Sequence, residues 1–144
     1  EGDARIGLGE VGVFGEGADI AIVTYGNGYY LSRQAERILK ERHNIAARII
    51  DLRWLAPLPA EALLAATAPC GKVLIVDECR KTGSQSEALM ALFTEQSSAR
   101  AARLTAEDCF IATGPAYGAT LPSRNGIVEA ALALIGGDKA EPRT

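Results

Sequence analysis

Any chemistry in this chain has to come from polar residues placed just beyond apolar runs. Asn27 and Gly28 follow IAIVTYG, Asp51 and Arg53 follow AARII, and Glu78, Arg80 and Lys81 follow KVLIVD. Gly26-Asn27-Gly28, between an apolar run and an amphipathic segment, invites a dinucleotide reading with Asp51 as the ribose acceptor on the next strand. Leu31 stands where the third glycine of that fingerprint belongs, and Tyr29 and Tyr30 would crowd a pyrophosphate. A tight strand-to-helix turn is the simpler account. Arg80 and Lys81 beside a helix start could hold a phosphate or carboxylate, although exposed loop cations more often stay solvated. Asp51 and Glu78 end what the sequence presents as neighbouring strands and could form a carboxylate pair. An ion pair between Asp51 and Arg53 is more economical.

The remaining candidates are weaker. His43, the single histidine, falls at the end of a helical segment with no acid or nucleophile suggested beside it. Cys79 follows Asp77 and Glu78, whose negative charge raises a thiol pKa and dulls its nucleophilicity, so it is expected to be inert. Trp54, with Leu55 and Pro57, is either core or an apolar anchor for another subunit. These readings yield no catalytic residue, no cofactor-binding set and no metal ligands.

The elements that must position these groups follow from hydrophobic periodicity. Residues 1–18 read as a Gly-rich linker ending in a short edge strand near Val11 to Phe14. Ile20 to Tyr25 is a continuous apolar run, as expected of a strand covered on both faces. Leu31, Ala35, Ile38 and Leu39 recur at helical spacing, with Asn27 as the expected N-cap and His43-Asn44 as the stop. A strand at 46–51 and a helix from about Pro59 to Ala68 come next, with Pro in a first-turn position that tolerates it. A second buried strand covers 72–77. Ser84-Gln85-Ser86-Glu87 has the spacing of a capping box opening a helix that buries Leu89, Leu92 and Phe93. A fifth strand is placed near Ala101 to Thr105 and a last helix at Ile127 to Ile135, before a polar tail from 137 to 144. This alternation implies right-handed crossovers and a mostly parallel sheet with helices on both faces, a single domain over 19–136.

The chain has 144 residues, 48 % hydrophobic and 23 % charged, which is ordinary for one globular domain. A net charge of −3 with scattered basic residues gives no electrostatic footprint for nucleic acid. An apolar run long enough to span a membrane is missing, and the acidic, Gly-containing start Glu1-Gly2-Asp3 does not read as a signal peptide. Cys70, Cys79 and Cys109 lack CxxC spacing and fit free thiols in a reducing cytoplasm better than a disulfide framework or zinc site. The single methionine is Met90, so the chain is expected to be a piece of a longer protein.

Four landmarks in order carry a family resemblance: GEGADIAIVTYGNG, IIDLRWLAPLP, VLIVDE with a downstream Gly83, and ATGPAYGATLP. Together they resemble the C-terminal domain of the transketolase superfamily, most closely the β subunit of the thiamine-diphosphate-dependent 2-oxoacid dehydrogenases of pyruvate and branched-chain type. The chain departs from that pattern at Pro59, where the family commonly has Asp, and in the reduced glycine content of Gly83-Ser84-Gln85-Ser86.

The resemblance implies a three-layer α/β/α fold with a five-stranded, mostly parallel sheet of order 1-3-2-4-5 and an antiparallel first strand. In such a sheet ligands sit beyond the strand ends where strand order reverses. The crevice would then lie between the loop at Tyr25 to Gly28 and the loop at Glu78 to Gly83. Asn27, Gly28, Asp51, Arg53, Glu78, Arg80 and Lys81 would surround it. The resemblance also implies that thiamine diphosphate and Mg²⁺ are held elsewhere in the parent enzyme. The Gly-Asp-Gly and Asn-Asn elements that would hold them, and the activating glutamate, have no counterpart here. The implied roles are assembly with other domains and subunits, homo-oligomerisation and docking to the acyltransferase core. The C-terminal domain of a transketolase or deoxyxylulose-phosphate synthase is the near alternative. A small anion- or nucleotide-binding regulatory domain and a flavodoxin-like carrier are alternatives from other classes.

Overall fold

The computed structural model describes residues 7–137. The start of the expected linker (1–6) and the expected polar tail (138–144) lie outside the described residues. Ten elements follow one another: β1 (Val11–Phe14), β2 (Ile20–Thr24), α1 (Asn27–His43), β3 (Ala47–Leu52), α2 (Ala60–Thr67), β4 (Lys72–Arg80), α3 (Gln85–Gln96), β5 (Arg100–Ala106), a 3₁₀ turn (Gly114–Ala119) and α4 (Arg124–Gly136).

The sheet order is β1-β3-β2-β4-β5, with β1 antiparallel to β3 and all other neighbours parallel. This is the expected α/β architecture. β2 is buried along its whole length, as its unbroken apolar sequence requires. Alternate residues face opposite layers. Ile20, Ile22, Ile49, Leu74 and Val76 pack with Leu39 of α1 and Ile127 and Ala131 of α4. Val23, Ile50, Val73 and Ile75 pack with Leu63 of α2 and Leu89 and Phe93 of α3. The sheet therefore separates two apolar layers, and its polar groups are displaced to the strand ends.

All four helix starts differ from expectation, and α4 begins at Arg124, three residues before the expected Ile127. α1 begins at Asn27, but the cap position is Gly26 with φ +58 and no side-chain cap bond forms. Asn27 instead donates to Glu78 across the strand ends at 2.8 Å. The capping box at Ser84 to Glu87 does not form either: α3 starts in place, yet Ser84 makes no side-chain cap bond. Glu87 turns to Arg103 at 3.8 Å. The amide that a cap would satisfy is taken by Asp77 of β4, which reaches Ser86 N at 2.9 Å. A buried carboxylate from a neighbouring strand outcompetes a local hydroxyl because its charge meets the helix dipole. Pro59 occupies the cap position of α2 rather than its first turn. The ends of α1 and α4 behave simply. Asn44 closes α1 in the left-handed region at φ 54, and Ser123 caps α4 by accepting from Gly126 N at 3.0 Å.

Gly28 has a packing reason to be glycine. A Cβ there would overlap Thr24 Oγ1, so α1 can lie this close to β2 only without a side chain at that position.

Candidate functional site

The chain runs from β2 to β3 on one side and from β4 to β5 on the other, so strand order reverses between β2 and β4. α1 leaves the first of these strands on one face and α3 leaves the second on the other. This switch point is where an open α/β sheet most readily admits a ligand.

Here it is stitched together by the chain's own side chains. The Tyr25 hydroxyl donates to Asp77 Oδ1 at 2.6 Å and lies 3.5 Å from Cys79 Sγ. Asp77 Oδ1 also accepts from Cys79 N at 2.8 Å, and its other oxygen accepts the Ser86 amide. One step outward, Asn27 Nδ2 donates to Glu78. Asp77 is fully buried. Burial alone would raise its pKa, but the bonds from Tyr25, Cys79, Ser86 and Ser84 outweigh it and hold the carboxyl below the usual range. The same contact pushes Tyr25 far up, through burial first and the Asp77 bond second. Tyr25 is therefore a fixed donor at any physiological pH, and Asp77 a fixed anion.

The expected site residues fall into two groups on either side of this seam. Asp51 and Arg53 pair through Arg53 Nε at 2.6 Å and, with Gly26, Tyr29, Tyr30 and Leu52, line a shallow groove of about 440 Å³. Burial raises the Asp51 pKa and Arg53 partly offsets it. Arg80 lines a separate open groove of about 720 Å³ with Thr82, Gly83, Asp108, Cys109 and Phe110. Lys81 is exposed, and its carbonyl accepts from Arg103 at 2.8 Å. Gly28 is buried in the first turn of α1, against Thr24 of β2. The carboxylate pair of Asp51 and Glu78 does not exist, because β2 lies between β3 and β4. Asp51 takes Arg53 and Glu78 takes Asn27 instead.

His43 is the last residue of α1, exposed, where a cation suits the helix dipole. Trp54 is half-buried, and its indole N–H donates to the Gly7 carbonyl at 3.1 Å. Leu55 beside it is 38 % exposed, and Pro57 is exposed.

The seam does not fit thiamine diphosphate. A diphosphate needs free amides and cations converging on one place. The first-turn Ser86 amide of α3 already faces the Asp77 anion, which would repel a phosphate rather than ligate it. No group of three or more His, Cys, Asp or Glu among the described residues could hold a metal ion. No helix among them is long and apolar enough to cross a membrane.

Asp77 is the residue at the centre of this seam that sequence reasoning missed. The available signal was an acid at the end of an otherwise apolar strand, nine positions before an amide it could reach. Its partner Tyr25 lies 52 positions away, and no local spacing rule connects them.

Comparison with known proteins follows the same lines. The family profile described as transketolase, C-terminal domain, matches residues 9–127. The 2-oxoisovalerate dehydrogenase subunit beta of Bacillus subtilis (strain 168) is 38 % identical over 93 residues, 65 % of this chain and 28 % of that one. The pyruvate dehydrogenase E1 component subunit beta of the same organism is 28 % identical over 139 residues, 94 % of this chain and 42 % of that one. Among solved structures, a split-gene transketolase described as an inactive β4 tetramer superposes with a TM-score of 0.84 at 24 % identity, over 94 % of this chain and 45 % of that one. The chain thus spans less than half the length of the relatives it matches.

Proposed function

The chain belongs to the transketolase C-terminal domain family, and on that premise we propose that it is the non-catalytic C-terminal domain of a 2-oxoacid dehydrogenase β subunit. Its work is to pack beside the cofactor-binding part of the parent, to bury surface in the oligomer and to dock the acyltransferase core. Thiamine diphosphate and Mg²⁺ belong to the rest of the parent, which decarboxylates a 2-oxoacid and passes the acyl group to a lipoyl arm. The observation that carries this reading is the 38 % identity with a 2-oxoisovalerate dehydrogenase β subunit. The internally saturated switch point supports its non-catalytic part, since a reactive group needs a free lone pair or proton facing solvent.

Exposed apolar residues supply the packing surface. Phe110 is fully exposed, and Ile111 and Tyr117 are more than half exposed. The Trp54, Leu55 and Pro57 loop adds a second apolar edge.

Two measurements test the proposal. The purified chain, supplied with 2-oxoisovalerate or pyruvate, thiamine diphosphate and Mg²⁺, is expected to show no turnover and no stoichiometric heat of cofactor binding. A Bacillus subtilis 2-oxoisovalerate dehydrogenase β subunit whose matching segment is replaced by this chain is expected to assemble and stay active. Turnover by the chain alone, or micromolar cofactor binding to it, would overturn the reading.

A further inference from the structure

Cys79 and Cys109 are both exposed, and both line one depression of about 350 Å³ beside Arg80, Ala106 and Phe110. Cys79 stands in the irregular stretch of β4 between Asp77 and Arg80, where the register with β5 shifts. Arg80 pairs there with Ala106, three residues before Cys109. Beyond β5 the chain turns back at once, with Cys109 N donating to the Glu107 carbonyl at 2.8 Å. Asp108 is clamped to the loop after β4 by the Thr82 amide at 2.8 Å and the Thr82 hydroxyl at 2.6 Å. The turn and the clamp together bring Cys109 to the end of the strand that carries Cys79. Cys70 has no part in this, being buried at 2 % exposure against the α2–α3 layer. Cys79, expected from its acidic neighbours to be inert, is instead exposed beside Arg80 and a second thiol.

We propose that Cys79 and Cys109 form a redox-sensitive dithiol that closes to an intramolecular disulfide on meeting a small-molecule disulfide such as oxidised glutathione. One cysteine thiolate attacks a glutathione sulfur, forming a mixed disulfide and releasing one glutathione thiolate. The second cysteine thiolate attacks the protein sulfur of that mixed disulfide, forming the Cys79–Cys109 bond and releasing the second. The protein loses two electrons and two protons, and one oxidised glutathione becomes two reduced ones. A disulfide requires Cα atoms about 4.4–6.8 Å apart, and oxidation tests that spacing for two residues that line one depression. Closure ties the segment carrying Phe110 and Ile111 to the end of β4, so that the oxidation state of the pair sets the freedom of an exposed apolar surface.

The test is native incubation of the 144-residue chain with oxidised glutathione, followed by thiol titration in denaturant, intact mass and non-reducing electrophoresis. The expected product is a monomer about 2 Da lighter, with two of its three thiols lost and Cys70 retained. Cys109→Ser substitutes an exposed position and Cys79→Ser keeps a hydroxyl beside Tyr25, so both should fold. Each is expected to trap a stable adduct about 305 Da heavier, on the cysteine that remains. Disulfide-linked dimers, two glutathione adducts on the wild-type chain, a bridge containing Cys70 or three unchanged thiols would each overturn the proposal.

Discussion

Asp77 accepts hydrogen bonds from the Tyr25 hydroxyl and from the Cys79 and Ser86 amides. It links β4 to β2 through Tyr25 and to α3 through Ser86, and it is charged and buried while doing so. Replacing Asp77 by Asn keeps the shape but puts an amide donor in place of one oxygen, against either the Ser86 amide or the Tyr25 hydroxyl and Cys79 amide. We expect a loss of about 2–3 kcal/mol, measured by urea unfolding, since bonds to charged groups contribute about 1.5–3 kcal/mol each. The pH dependence has a definite sign. The folded pKa of Asp77 is depressed, so its contribution is present above the unfolded value, about 3.9, and is lost as pH falls through the folded value. Asp51 has the opposite sign, because its raised pKa makes its charged form a small cost that acid relieves. Stability measured from pH 5 downward should therefore fall in the wild type and fall less in Asp77→Asn. A variant with an unchanged acid limb would remove Asp77 from the account.

At the scale of the element, helix starts in this fold divide by who supplies the cap. α4 is capped locally by Ser123, and Ser123→Ala should cost about 1 kcal/mol, as for other N-caps. α3 is capped from another strand, and Glu87 makes a half-exposed ion pair with Arg103 rather than closing a capping box. Glu87→Ala should therefore change stability by less than about 0.5 kcal/mol. Thermal or denaturant unfolding of the two variants, side by side, separates these assignments. Equal losses would restore the capping box. The bounds of β1 and the stop of α1 at His43-Asn44 were legible in the sequence because an apolar run and a local stop mark them, whereas the Ser123 cap that starts α4 three residues before the expected Ile127 was not read. The tyrosine-aspartate-serine seam was not, because its members come from three elements distant in the chain.

At the scale of the whole molecule, the sheet divides two apolar layers and leaves a third apolar feature outside, the exposed segment around Phe110 and Ile111. If that segment carries subunit contacts, the chain should self-associate as concentration rises, and Phe110→Ser with Ile111→Ser should weaken this at least tenfold. Light scattering coupled to size exclusion over a concentration series reads the change directly. Association that is indifferent to both substitutions would move the contact elsewhere, with Trp54 and Leu55 the next surface to alter.

The sequence alone determined the class of fold, its strand and helix order and the family to which it is similar, because those are written in periodicities of two and 3.6 residues and in the order of four short landmarks. The tertiary structure alone decided what the strand-end residues do. In this sheet β2 separates β3 from β4, so Asp51 and Glu78 never meet and each finds its own partner. Asp77 meets Tyr25 and the start of α3 across the same reversal of strand order, joining three elements at the switch point. Strand adjacency is set by crossovers that pack whole helices against the sheet, a global balance of buried surface that no local spacing of residues encodes.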